Sequence, residues 1–234
     1  MNLSAIAGSN FINQNKTRMK NLLTSLLVVL ALGTATGQSI TPAKSLNIYM
    51  QAGMRAFSAK EFNSTTSLSP SLVPGIGGGA IWQVNQFQFG AEFTYLDGKK
   101  DTEEISSVLS GINAHVLVGY GVDLGDRMRI SFQTGFGYNL HHLTVTNLAY
   151  TGDARLNSTI YHNMGYSLPT SVWLQRRSEN GVFTGLRAGY NIPVGASEWR
   201  YIEGSRTEVY TAAADGFYFQ LVFGGLLNLN GKRS

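Results

Sequence analysis

The stretch MRISFQTGFGYNL, residues 128–140, changes character at every step. Met128, Ile130, Phe132, Thr134, Phe136, Tyr138 and Leu140 form one set; Arg129, Ser131, Gln133, Gly135, Gly137 and Asn139 form the other. Successive side chains leave a strand on opposite faces, so strict alternation of this length reads as one strand with two unlike faces. The fold then turns on what meets the apolar face. A soluble barrel turns it inward, and a barrel in lipid turns it outward.

The same alternation recurs along the chain, at 46–57, 74–84, 87–96, 112–122, 164–175, 182–192 and 217–229. The segment 164–175 is the least regular. Pro169 removes a ladder donor there, and Trp173 falls on the otherwise small or polar set. Each stretch is near the roughly 9–11 residues that a tilted strand needs to cross a bilayer. Short connectors lie at 85–86, 123–127 and 177–181, and long polar ones at 58–73, 97–111, 141–163 and 193–216. In an up-and-down meander alternate connectors emerge on one side, so the short turns share one rim and the long loops the other. The pattern predicts a closed, antiparallel, up-and-down transmembrane β-barrel of eight strands. The loops at 141–163 and 193–216 leave room for a further hairpin, which would make ten.

Three features set the direction of the apolar face. The polar set carries mid-strand charges, Arg55, Glu92, Arg129 and Arg187, together with His115. Facing lipid, a mid-plane arginine costs roughly 2–4 kcal/mol. Inside a closed barrel these residues can pair, and an eight-stranded interior is just wide enough for side chains. Arg55, Glu92, His115, Arg129 and Arg187 are therefore expected to form a structural polar network plugging the lumen. The polar set is also rich in glycine, which leaves space for long neighbours. Finally, Trp82, Phe87, Tyr120, Tyr138, Tyr190 and Phe217 fall near strand ends, where an aromatic girdle would meet lipid headgroups. The competing reading is a secreted soluble barrel of the lipocalin type, which would need the phenylalanines inside and the arginines outside.

Composition agrees with an outward apolar face. Charged residues make up only 14% of the chain while the apolar share of 43% is ordinary. There is no cysteine, which excludes disulfides, thiolate metal sites, cysteine nucleophiles and an N-terminal lipid anchor. The formal charge of +4 is mostly a property of the first residues: Lys16, Arg18 and Lys20 precede any acid, and from Gln38 onward 15 Lys plus Arg face 14 Asp plus Glu. No basic stripe for nucleic acid exists. From Met19, MKNLLTSLLVVLALGTATGQS has a cationic start at Lys20, an apolar run from Leu22 to Leu32 and small residues at Ala35, Thr36 and Gly37. That is the plan of a signal peptide over residues 19–37, with cleavage between Gly37 and Gln38. Residues 1–18 are read as an upstream extension, and residues 38–234 as the barrel domain.

Taken together, the signal peptide, the eight alternating strands, the short–long connector rhythm and the aromatic closing strand GFYFQLVFGGLLNL resemble the small outer-membrane β-barrel proteins of the OmpA/OmpX-like, porin-like class. The resemblance covers Gln38 to Ser234 and implies the outer membrane of a Gram-negative-type cell envelope. It also implies outer-membrane lipid as surroundings and the barrel-assembly machinery as a partner in biogenesis. Many members end on an aromatic residue, whereas this chain continues past Leu229 through Asn230, Gly231, Lys232, Arg233 and Ser234.

Chemistry is thinly represented. Some barrels of this class modify lipid A with His–Ser–acid arrangements near the outer leaflet. Here His141 and His142 fall just beyond the fifth strand, with Asp153, Ser158 and His162 in the same expected loop. None of them has a motif around it. Neighbours in sequence such as His141 and His142 seldom point at one ion, so no metal site and no cofactor are expected. GIGGGA (75–80) lacks the lysine and helix of a phosphate loop and reads as strand glycines. The sequons at Asn63 and Asn157 read as chance matches. The expectation is a non-enzymatic envelope anchor whose four long loops serve adhesion, partner binding or envelope integrity. A narrow pore for small solutes and a lipid-modifying enzyme are the alternatives.

Overall fold

The computed structural model describes residues 44–57, 72–149, 158–203, 206–211 and 216–229. The expected leader with its Gly37–Gln38 junction, the segment 58–71 with Asn63, the segment 150–157 with Asp153 and Asn157, and the tail after Leu229 lie outside the described residues.

Among the described residues nine strands are formed: β1 (Lys44–Ala56), β2 (Leu72–Val84), β3 (Phe87–Asp101), β4 (Ile105–Leu124), β5 (Met128–Asn147), β6 (Ser158–Arg177), β7 (Val182–Glu203), β8 (Arg206–Thr211) and β9 (Gly216–Asn228). From β1 to β7 each pairs antiparallel with the next, and β9 pairs with both β7 and β1. The sheet thus closes on itself through eight strands. Among the described residues β8 pairs with β7 alone, outside that circuit. The tight turns carry the backbone chemistry they need: Asn85 at φ 55, Gly125 at φ 71 and Gly181 at φ 79 occupy the left-handed region that most residues avoid. Pro169 has the local effect its missing N–H implies. The β5–β6 ladder runs to Thr134↔Thr170 and resumes only at Gly137↔Ser167.

The direction of the faces is unambiguous. Phe93, Val116, Phe136, Leu221 and Phe223 are 47–63% exposed, while Arg129, Gln133, Arg187, Asn191 and Gln220 are at most 8% exposed. The soluble reading, with phenylalanines inside, is overturned. The apolar stretch from Met128 to Leu140 rises about 30 Å along the barrel axis at the usual tilt. That matches a hydrocarbon core of about 25–30 Å.

The long loops are a correction. Most of the segments expected as connectors at 97–111, 141–163 and 193–216 is strand: β3 runs to Asp101, β4 begins at Ile105, β5 and β6 reach Asn147 and Ser158, and β7 extends to Glu203 before folding back as β8. The 193–216 segment accordingly holds the further hairpin. The reason is visible on β5. Below residue 141 the inward set is Arg129, Ser131, Gln133 and Asn139. Above it Leu143 is fully buried and Val145 packs against the same cluster, while His142, Thr144 and Thr146 point outward. The period of two continues, but its sign flips where water replaces lipid outside the barrel. Inside this upper tier Phe57, Val73, Leu96, Leu109, Leu143 and Trp199 form an apolar core of the ordinary soluble kind.

This boundary can be measured with paired substitutions. Phe93→Arg, facing mid-bilayer, should cost about 2–4 kcal/mol in urea unfolding from vesicles, and Ile160→Arg, outward in the upper tier, about 0–1. Equal costs would place both in one solvent and remove the two-tier reading.

Candidate functional site

The lumen is filled in layers. Nearest the short turns, Arg129 donates from Nη1 to Asp123 Oδ1 at 2.9 Å and from Nη2 to the Gly121 carbonyl at 3.0 Å. Gln133 Nε2 donates to Gln88 Oε1 at 3.0 Å, and Gln88 Nε2 to Ser131 Oγ at 3.1 Å. Beside them lies an apolar cluster of Tyr49, Ile81, Trp173, Phe183 and Val222. Trp173, the residue out of pattern in the sequence, is fully buried against Tyr49 and Phe183, with ring centroids 5.2 and 5.7 Å away. It fits because glycine stands beside it. A Cβ on Gly185 would come within 2.6 Å of Trp173 Nε1.

Further in sits the central charge cluster. Glu92 and Arg187, from β3 and β7, form a buried ion pair. Tyr49 donates its hydroxyl to Glu92 Oε2 at 2.9 Å, and His115 Nδ1 lies 3.2 Å from Glu92 Oε1. Arg187 also donates to Ser171 Oγ at 3.0 Å and to Gln51 Oε1 at 3.3 Å, and its guanidinium lies over the Tyr218 ring at 5.7 Å. Of the residues expected in the lumen, Glu92, His115 and Arg187 are thus brought together. Arg129 stands apart with Asp123, and Arg55 is buried where it lines one small cavity with Glu92, Thr94, Asn113 and His115. That cavity, at about 20 Å³, has room for roughly one water. Gln51 falls on the inward polar set in the sequence, whereas nothing there singles out Tyr49, Ser171 and Tyr218. Only the register of closed neighbours brings them to Arg187.

The six residues expected as a girdle lie on the outer face at the two ends of the apolar band. Trp82 and Phe87 are exposed at the short-turn end, where the Phe87 ring meets Tyr120 edge-on at 5.5 Å. Toward the other end Tyr190 meets Phe217 at 4.7 Å, and Tyr138 lies 5.7 Å from Tyr166.

The candidate catalytic residues separate. His141 points into the barrel, fully buried, with Nε2 3.0 Å from Asn113 Oδ1 and its ring beside Phe57. His142 points outward on the same strand and meets His162 across the ladder, Nδ1 to Nδ1, at 2.7 Å. Burial and the neighbouring His162 both hold the His142 imidazole below its ordinary value. Ser158 is paired with Thr146, hydroxyl to hydroxyl at 3.0 Å. At the tip of the β3–β4 hairpin, hydrogen bonds from Lys99 and Ser106 hold Asp101 below the usual carboxylate range.

No family model matches the chain's sequence, and no curated protein matches it either. Solved structures do align. The attachment invasion locus protein Ail of Yersinia pestis is 9% identical at a TM-score of 0.48, covering 80% of this chain and 100% of that one. Neisserial surface protein A (NspA) is 13% identical at 0.45, covering 80% and 97%. The outer membrane protease OmpT of Escherichia coli is 10% identical at 0.25, covering 81% and 98%. Nothing about ligand or activity passes from them to this chain. The barrel assignment stands on its own closed ladder and its outward apolar face.

Proposed function

We propose that this chain is an integral outer-membrane protein without enzymatic activity, whose filled barrel anchors a rigid extracellular β-tier. The observation that carries the reading is the sign flip along β5 together with the apolar core inside the upper tier. It supports lipid outside the lower barrel and water outside the upper one. The upper tier, with Lys99, Asp101, Glu198 and Arg200 on its surface, is the part available for adhesion, partner binding or envelope integrity. Assembly by the barrel-assembly machinery and removal of residues 19–37 as a signal peptide belong to the same proposal.

The packed lumen favours an anchor over a pore. Trp173, Arg129, Arg187 and Phe183 are among the largest fully buried side chains, and all four point into the barrel. Refolded protein in planar bilayers is expected to give no reproducible single-channel steps, and such steps would refute the plug. The protein should show a heat-modifiable gel shift, and intact cells should label at Lys99 or Lys100 with an impermeant amine reagent. A protein that stays monomeric and soluble without detergent would refute the membrane assignment. A lipid A mass change lost in His142→Ala would sink the non-enzymatic part alone.

A further inference from the structure

Just above the lipid band, one outward row crosses four strands: Ser110 on β4, His142 on β5, His162 on β6 and Arg200 on β7, each opposite the next. The Nδ1 atoms of His142 and His162 are 2.7 Å apart, their ring centroids 4.7 Å apart and their planes at 90°. Two protonated nitrogens would repel at that separation, so at least one Nδ1 presents a lone pair to the other. The other donates its N–H across the 2.7 Å contact, and with that proton moved to Nε2 or released the two adjacent imidazole nitrogens are a donor set for d-block ions. We infer that His142 and His162 form a two-nitrogen site for a divalent d-block cation, copper(II) or nickel(II), clipping β5 to β6 at the outer rim of the barrel.

The geometry chooses among ions. With metal–nitrogen bonds of about 2.0–2.1 Å, two ligands at a right angle stand about 2.9 Å apart and two tetrahedral ligands about 3.3 Å apart. The observed 2.7 Å lies on the right-angle side. Tetragonal ions therefore fit with less movement than zinc, and copper(II) also heads the general order of affinity. The remaining positions fall to water, since no group of three His, Asp or Glu side chains that could hold a metal occurs among the described residues.

The surroundings tolerate a cation. Arg200 stands opposite His162, but its guanidinium is committed to Glu198 at 3.1 and 2.7 Å, which cancels the local charge. Ser110 on β4, Thr144 on β5 and Ile160 and Met164 on β6 bring no charge to the row. Both rings are half-buried and already placed by the β5–β6 register, so binding requires little ordering. The site does not depend on whether the lumen conducts.

The test uses the untagged full-length barrel refolded in detergent and titrated with copper(II), nickel(II) and zinc(II) salts. One equivalent of copper should bind, with the electron paramagnetic resonance spectrum of a tetragonal ion coupled to two imidazole nitrogens. Nickel should bind more weakly and zinc weakest. His142→Asn or His162→Asn should lose at least the roughly 10–100-fold in affinity that removal of an outer-shell partner costs other sites. The heat-modifiable gel shift reports that each variant still folds. In the wild type, bound copper should shield both rings from an imidazole-modifying reagent, a reading that needs no variant. Absence of saturable binding would overturn the site, as would copper affinity unchanged in the His142→Asn/His162→Asn double variant. Zinc binding tighter than copper would overturn the choice of ion.

Discussion

Arg187→Met is expected to destabilise the barrel by about 3–5 kcal/mol, the usual cost of stranding one member of a buried ion pair. The arginine is fully buried and serves Glu92, Ser171 and Gln51 at once. Methionine keeps most of the volume, so the loss is electrostatic and not a cavity. Glu92 would remain between Tyr49 and His115, neither of which supplies a permanent cation. The double variant Arg187→Met/Glu92→Gln removes the orphan charge and should recover most of the loss, giving a coupling energy well above 1 kcal/mol, at the upper part of the range for residues in contact. Urea unfolding in detergent, followed by tryptophan fluorescence and the heat-modifiable gel shift, measures all three proteins. If the single variant came within about 1 kcal/mol of wild type, solvent would be screening the pair, as it does exposed pairs. The lumen would then be wet, and the anchor reading would give way to a pore.

Much of this was legible in the sequence because lipid and lumen impose opposite demands on alternate residues. Met128 to Leu140 announces both the strand and its inversion relative to a soluble protein, and Arg129 and Gln133 sit in the lumen beside glycines. A Cβ on Gly119 would stand 2.9 Å from Gln133 Cγ. HHLTVTN, residues 141–147, reads as loop in the sequence for a definite reason. The rule that apolar residues face out holds only where lipid is outside. Once water replaces it, Leu143 and Val145 belong inside and the histidine and threonines outside. The strand continues with its pattern reversed, which resembles the end of a pattern. Trp173 misled in the same way, since an inward aromatic contradicts a polar lumen until its cluster with Tyr49 and Phe183 is known.

The site was less legible than the fold. Glu92, His115 and Arg187 announce themselves as charges on inward positions, but their partners come from strands far away in sequence. Tyr49 meets Glu92 across 43 residues, and Gln51 meets Arg187 across 136. Only the closed order of strands brings them together. The His142–His162 pair depends on the register of the β5–β6 hairpin above the membrane. No residue marks that register in a segment that reads as loop. A neighbouring pair, His141 and His142, drew attention instead, and the pleat sends those two side chains to opposite faces.

Trp199→Ala should open the upper tier while leaving the membrane-embedded barrel closed. Trp199 is 2% exposed and packs with Phe57, Val73, Leu96, Leu109 and Leu143, so its truncation should cost about 3–5 kcal/mol. The upper tier has no lipid around it, and its outward side chains are hydrated. Its stability therefore rests on this core and on the ladders continuing from below. Local opening needs only the upper ladders to part, whereas global unfolding must also expose the lipid-facing strands. The loss should consequently appear as local unfolding. Hydrogen exchange at amides of 105–110, 141–147 and 158–163 should accelerate roughly 10²-fold or more, while those of 130–138 and 217–223 stay protected. Protease should gain access to the same upper segments, and the gel shift of the closed barrel should persist. Equal acceleration in both tiers would make the barrel one cooperative unit. No acceleration anywhere would mean that the upper core contributes nothing, and the rigid platform on which the proposed surface role depends would be lost.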